Sequence, residues 1–527
     1  MNKQEEDSLA QISAFEISKK IIEIARKNKD EFPILDAGRG DPNWINVKGR
    51  LALNRLVDFG IEESKLTFYE NDLAGYIVKE GIGTRFKDFL DSSNYIDRFL
   101  LDVLNYVNVY MHFDIDDFVF EFINGALGNS YPSPNRALKY TEKIINNYLQ
   151  SVLYNGKKLA DNTDLFLTEG GTAAIVYIFN SLKENHLLNP GDKIAINTPI
   201  FTPYLEIPSL NDYQLIKLDL TSKEKNNWEL EDTELDKLKD PSIKAFFLVN
   251  PSNPGSRSLN SHLLKCIEEV VSKNPNLIII TDDVYGTFSK NFQSVYSVVP
   301  KNTLLVYSFS KLFGATGWRL GIIAAYKNNI FDKLISKLPK NNKIELNKRY
   351  GIVDLNPEKM KFIDRIVADS RSIGLYHTAG LSTPQQIMSA LFSLTHLVLK
   401  DKTDEYILKA RNIVNKRHNI LYKSLGIPIN NDPNDTDYYA MINVYKLAKL
   451  KYGNKFCQYL KNNYSPIDFL IRLAEKFGII LMYGKGFGAQ GNNLRVSDAN
   501  LTDRDYKKIG SKIIEVINDY YSEYKNI

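Results

Sequence analysis

Cysteine is nearly absent: Cys266 and Cys457 are the only two in 527 residues, too few for a disulfide framework and in keeping with a reducing compartment. Long apolar runs are missing as well. No stretch approaches the roughly 18 consecutive apolar residues of a membrane span, and the opening MNKQEEDSLAQ has no basic region leading into an apolar one. Nor is there an excess of one charge: 67 Lys and Arg stand against 63 Asp and Glu, a net +4, interleaved along the chain. Without a basic block there is no case for nucleic acid. The six histidines show no metal-ligand spacing, so no metal site is expected. What remains is a cytoplasmic globular protein, and 527 residues with 43% hydrophobic content can build more than one core.

The middle third carries the clearest pattern. LFLTEG (165–170), KIAINTP (193–199), KAFFLVNP (244–251), LIIITDD (277–283), TLLVYSFS (303–310) and GIIAAY (321–326) read as buried strands, separated by helical patterns such as AAIVYIFNSLKENHLL and SHLLKCIEEVVSKN. Strands buried on both faces and alternating with helices predict an α/β domain with a mostly parallel sheet. Ligands in such sheets bind at the carboxyl ends of the strands, and the unusual residues cluster there: Thr168 to Thr172, Asn250 to Gly255, Asp282 to Tyr285 and Ser308 to Lys311. Residues 86–130 are aromatic and read as helices, and 327–370 as helices broken at Pro339 and Pro357. GTRFKDF, with Gly81 and Gly83, imitates a phosphate loop only weakly and reads as structural.

YSFSKLFGATGWRLG (307–321) sets a lysine among small and hydroxylated residues, with an arginine eight positions later. A desolvated lysine at a strand end is suited to form a Schiff base with a carbonyl cofactor. A phosphate on that cofactor would find donors in Ser308, Arg319 and the backbone of Gly170, Gly171 and Thr172 at a helix start. A pyridinium nitrogen would need a buried carboxylate, and Asp282 ends an apolar strand. Those requirements describe pyridoxal 5′-phosphate.

The lysine segment resembles that of fold type I pyridoxal phosphate aminotransferases. NPSNPG, DDVY and NNLRVSDAN resemble three further motifs of that family, in the same order. LDAGRGDPNW, YPSPNRAL, TPIFTPYLEIP and the length of the chain are similar to the aspartate 4-decarboxylase family, whose members are bifunctional aspartate aminotransferases and L-aspartate β-decarboxylases. The resemblance implies a large cofactor-binding domain with a seven-stranded type of sheet, a smaller α+β domain and extra helical insertions. The expected boundaries are 1–85 for an N-terminal part of the small domain, 86–130 for a helical insertion, 131–326 for the large domain, 327–384 for an insertion and return segment, and 385–527 for the C-terminal small domain.

It also implies roles. Lys311 would be the Schiff-base lysine and proton shuttle, Asp282 the partner of the pyridinium nitrogen, and Tyr285 with Asn253 the donors to the phenolic oxygen. Phe201 would stack on the ring, and Ser308, Arg319, Gly171 and Thr172 would hold the phosphate, with Tyr131 reaching the neighbouring subunit's. Arg495 would clamp the substrate α-carboxylate. Aspartate aminotransferases usually set a partner-subunit arginine four residues before a serine to hold the distal carboxylate. In HTAGLSTPQQ the residue four before Ser382 is Thr378, so Arg39, between two glycines, and Arg371 become the candidates. A tight clamp on that carboxylate would oppose its loss as carbon dioxide. The implied reaction is conversion of L-aspartate to L-alanine and carbon dioxide, with transamination as a side activity and a small keto acid such as pyruvate restoring activity; a plain aminotransferase is the alternative. A homodimer is the implied minimum, with the dodecamer of the resembled family as a larger assembly.

Overall fold

The structure is a computed structural model that describes residues 14–27, 32–70, 73–129, 131, 136–220, 228–376, 378–400, 402–429, 431–489 and 492–526. Seven strands, β1 (Thr163–Thr168), β2 (Lys193–Thr198), β3 (Gln214–Asp219), β4 (Ile243–Val249), β5 (Ile278–Asp282), β6 (Thr303–Ser308) and β7 (Gly321–Tyr326), form one sheet in the order β1-β7-β6-β5-β4-β2-β3. All neighbours are parallel except β7, which runs antiparallel to both β1 and β6. Alternate residues of β4 enter different cores: Ala245, Phe247 and Val249 face one side, Phe246 and Leu248 the other. A strand covered on both faces must be apolar throughout, which is why these runs stand out in the sequence. β3 does not stand out, because as an edge strand it exposes Gln214 and Lys217.

A second, antiparallel sheet joins β8 (Tyr439–Asn443), β9 (Met482–Tyr483) and β10 (Asn493–Ser497) in the order β8-β10-β9. Its core takes Ile17, Ile21 and Ala25 from the helix Ala14–Lys27 and a stripe from Tyr506 to Tyr520 of the helix Asp503–Lys525. Leu35–Asp36 pairs in parallel with Ile479–Ile480, tying the N-terminal segment to this unit. No described helix is long and apolar enough to cross a membrane.

Packing gathers most of the chain around two cores. Residues from Ala52 onward share the core of the large sheet with the helices of 86–127 and with the helix Thr383–Leu397. An ion pair fixes part of that arrangement: Arg55 donates from Nε and Nη2 to the two oxygens of buried Asp97, at 2.8 and 2.7 Å. The small core takes up the chain only to Ala37 and again from Leu421, partway along the helix Glu405–Leu425. Residues 85 and 385 lie within the helices Ile82–Phe89 and Thr383–Leu397, whose buried apolar residues belong to the core of the large sheet.

Within 327–384, one buried carboxylate gathers several donors. Asp369, in the helix Phe362–Ser370, accepts from Ser181 Oγ at 2.5 Å, Tyr350 Oη at 2.9 Å and Arg349 Nη2 at 3.0 Å. Ser181 lies on the helix Gly171–Glu184, whose first turn faces the cavity described next. Asp369→Ala should lower stability by about 2 kcal/mol, because the buried hydroxyls of Ser181 and Tyr350 would lose their acceptor, while Arg349 keeps Glu184 at 2.6 Å. A thermal midpoint equal to the wild type's would contradict this role.

Candidate active site

A cavity of about 350 Å³ opens at the carboxyl ends of β1, β5 and β6. Strand geometry puts its chemistry in place: Asp282 ends β5, Ser308 ends β6, and Lys311 follows three residues later. Of the residues predicted from sequence, the cavity brings together Arg39, Gly171, Thr172, Phe201, Asn253, Asp282, Tyr285, Ser308, Lys311, Arg319 and Arg495.

On one wall the helix Gly171–Glu184 begins without a side-chain cap, leaving its first N–H groups for a ligand. Its N-cap Gly170 has φ +98°, and a Cβ there would lie 2.3 Å from Arg319 Nη2. Glycine thus lets the arginine lie against the helix start. Arg319 donates to the carbonyl of Thr316 at 3.0 Å and pairs with no described carboxylate. Ser308 Oγ lies 3.0 Å from the carbonyl of Leu320 and 2.9 Å from Ser310 Oγ.

At the floor, Asp282 accepts from Tyr204 Oη at 2.9 Å and from the Val284 N–H at 3.2 Å. Burial pushes its carboxyl up to about 6, against the pull of those two donors and of Lys311. Lys311 Nζ donates to the carbonyl of Gly40 at 3.0 Å, and no described carboxylate lies within ion-pair distance of it.

The third wall comes from the small unit. Arg495 on β10 is 3% exposed and donates from Nη2 to the carbonyl of Gly38 at 2.5 Å and from Nη1 to Asn253 Oδ1 at 3.1 Å. Its guanidinium sits 4.3 Å from the ring centre of Tyr439 and 4.7 Å from that of Phe487. Its Nε is buried without a hydrogen-bond partner, which leaves donor capacity for an incoming acceptor. Tyr285 Oη lies 2.8 Å from Tyr439 Oη and 3.5 Å from Asn253 Nδ2.

Arg39 reaches the mouth with a side chain 69% exposed, 3.2 Å from Asp41. Arg371 lies outside the cavity of its own chain: it ends the helix Phe362–Ser370 buried, its Nε donating to the carbonyl of Ala379 at 3.1 Å. Tyr131 is 71% exposed and outside the cavity of its own chain. His377 and residues 132–135 lie outside the described residues. The N–H groups of Gly81 and Gly83 are taken by Asp116, at 2.7 and 2.9 Å.

Tyr204, Tyr438, Tyr439 and Gly40 were not singled out by the sequence. Tyr204 had a signal, three residues after Phe201 in TPIFTPYLEIP. The tyrosine pair had none beyond a strand pattern.

Residues 125–513 match the family described as aminotransferase class I and II. The chain belongs to that family. It is 43% identical over 523 residues to a bifunctional aspartate aminotransferase and L-aspartate β-decarboxylase from a Pseudomonas species, covering 98% of both chains. An aspartate aminotransferase from Pyrococcus horikoshii is 29% identical over 165 residues, 31% of this chain and 40% of that one. Among solved structures, a Thermus thermophilus aspartate aminotransferase double mutant superposes with a TM-score of 0.61 at 13% identity, covering 95% of this chain and 96% of that one. This likeness is one of fold.

The cofactor of this aminotransferase is pyridoxal 5′-phosphate, and the cavity fits it. An uncapped helix start and an arginine without a carboxylate suit a phosphate, a buried acid suits a pyridinium, and an amine without an anionic partner suits an aldehyde. The acid also marks the aminotransferase when cofactor is removed. A carboxyl at 3.8 in the unfolded chain and about 6 in the fold makes folding less favourable as pH rises between those values, and the deficit persists above them. Cofactor-free wild type should therefore lose about 3 kcal/mol relative to Asp282→Asn between about pH 4 and about pH 6.5. Parallel stability curves for the two proteins would show that Asp282 ionises freely.

Proposed function

We propose that the protein converts L-aspartate to L-alanine and carbon dioxide in the cytoplasm, with aspartate transamination as a side activity. The observation that carries this is end-to-end likeness: the bifunctional Pseudomonas enzyme matches 98% of the chain, whereas the aspartate aminotransferase of P. horikoshii matches 31%.

Pyridoxal phosphate, once bound, supplies an aldehyde for the substrate amine and a ring that withdraws electrons from the bonds beside it. The chain supplies the rest. Gly171, Thr172, Ser308 and Arg319 hold the phosphate, and Phe201 covers the ring. Asp282, oriented by Tyr204, keeps a proton on the ring nitrogen, while Tyr285 and Asn253 donate to the ring oxygen. Lys311 takes the proton from the substrate Cα and returns it, within reach of the Gly40 carbonyl that accepts from its amine.

Substrate selection rests on two unequal arginines. Arg495, buried and stacked, holds the α-carboxylate. Arg39, exposed and shared with Asp41, meets the distal carboxylate loosely. A distal carboxylate without a buried clamp keeps less ground-state stabilisation to lose when it leaves as carbon dioxide. In the assembly we propose, a dimer at least, Tyr131 reaches the partner's phosphate. Leu66, Phe68, Tyr69, Leu73 and Tyr76, each more than half exposed, offer apolar surface for contacts up to a dodecamer.

Aspartate alone should yield alanine and carbon dioxide in equal amounts, with activity that decays and returns on addition of pyruvate. Aspartate consumption that requires stoichiometric keto acid and releases no carbon dioxide would leave a plain aminotransferase in its place. Lys311→Ala should abolish turnover and replace the absorbance of the lysine-linked cofactor with that of the unlinked aldehyde, while the cofactor is still retained through the phosphate contacts, as equilibrium dialysis would show.

A further inference from the structure

Two phenols meet at the wall of the cavity nearest Arg495. Tyr285 Oη and Tyr439 Oη are 2.8 Å apart, with residues only 4% and 3% exposed. Each hydroxyl carries one proton, so one of the pair donates to the other. Among the described residues Tyr439 Oη has no other hydrogen-bond partner, while Tyr285 Oη also lies 3.5 Å from Asn253 Nδ2. Both phenols line the cavity, so either proton could point into it. When the single Tyr285 proton is given to the cofactor's ring oxygen, as in the proposed reading of the site, the 2.8 Å bond is kept only if Tyr439 donates to Tyr285.

The position of Tyr439 is tightly set. Its ring lies under the Arg495 guanidinium at 4.3 Å, and a Cβ on Gly40 would come within 2.3 Å of its hydroxyl. A glycine is needed there because the phenol fills that space. Gly40 is also the residue whose carbonyl receives Lys311 Nζ at 3.0 Å. Tyr439 thus touches the arginine, the lysine's acceptor residue and the partner phenol.

From this geometry we propose that Tyr439 is a positioning residue: its hydroxyl donates to Tyr285, turning the Tyr285 proton toward the cofactor's ring oxygen and strengthening that bond. The proposal rests on the reading of the cavity as the pyridoxal phosphate site. An O–H whose oxygen already accepts a hydrogen bond is a better donor, since bonds in a chain polarise one another. Stronger donation favours the ionised ring oxygen and so lowers the pH at which the bound cofactor changes colour. The other titratable or charged groups facing the pair are Tyr438 and Arg495 from the small unit, and Lys311 and Asp282 line the same cavity. All four are retained when Tyr439 is changed to phenylalanine.

The test is a pH titration of the visible absorbance of the holoenzyme. Tyr439→Phe keeps the ring under Arg495 and should raise the spectral midpoint by about one pH unit. Tyr285→Phe should raise it further, and the double variant should match Tyr285→Phe alone, because Tyr439 acts only through Tyr285. An unchanged midpoint in Tyr439→Phe with a raised KM for aspartate would overturn the proposal and leave Tyr439 as packing for Arg495. Additive shifts in the double variant would overturn it too. Wild type that takes up no coloured cofactor would sink the reading of the cavity itself, a result distinct from either.

Discussion

One carbonyl oxygen holds the three parts of this site in register. The Gly40 oxygen accepts from Lys311 Nζ and from Tyr438 Oη, both at 3.0 Å. The lysine follows β6 of the large sheet, the tyrosine precedes β8 of the small one, and Gly40 belongs to the N-terminal segment between the two cores. A lysine withdrawn from solvent requires an acceptor. A carboxylate would answer that need but would hold the amine as an ion pair, competing with any carbonyl carbon brought near it. A backbone oxygen gives the amine a position without giving it a counter-ion.

The same economy of charge governs the rest of the cavity. Asp282 is buried next to one phenol and one backbone N–H, and its raised affinity for a proton shows that these do not fully compensate for burial. A cation placed above it would complete the compensation. Arg319 and the uncapped helix start leave donors unmatched by any described carboxylate. Arg495 is stabilised by two aromatic faces and by carbonyl and amide oxygens in preference to an acid. Each group is held by neutral partners, so its charge remains available to a ligand.

How much of this was visible in the sequence follows from where each residue sits. Strands covered on both sides must be apolar, and six of the seven strands of the large sheet could be read for that reason; edge strand β3, with Gln214 and Lys217 in solvent, could not. Lys311, Asp282 and Ser308 stood out because polar residues at the ends of apolar runs have few structural uses, and Arg319 because it follows the lysine by eight positions among small residues. Tyr439 and Tyr204 did not, since a tyrosine is equally at home in a core, and only the spatial pairing with Tyr285 and Asp282 gives them meaning. That residues 85 and 385 sit within helices packed on the large core was not legible, because helix amphipathicity says that a face is buried without saying against what. That Arg371 is buried was not legible either: a helix C-terminus turned inward looks, in one dimension, like any other arginine beside a loop.

The contrast between Arg495 and Arg39 bears most directly on the choice between two reactions. Desolvation strengthens an ion pair and also fixes it, so a carboxylate gripped by a buried guanidinium is favoured as an anion. That suits the α-carboxylate, which leaves the reaction as it entered. The distal carboxylate must give up its bonding electrons and depart as a neutral gas, and every kilocalorie of grip on its charged form is added to the barrier. In the proposed reading, an arginine at the mouth, two-thirds exposed and already shared with Asp41, would attract that carboxylate through a high-dielectric medium and lose little when the charge disappears. On the proposed roles, the asymmetry of burial between the two arginines is a chemical asymmetry, retaining one end of the substrate while leaving the other free to go.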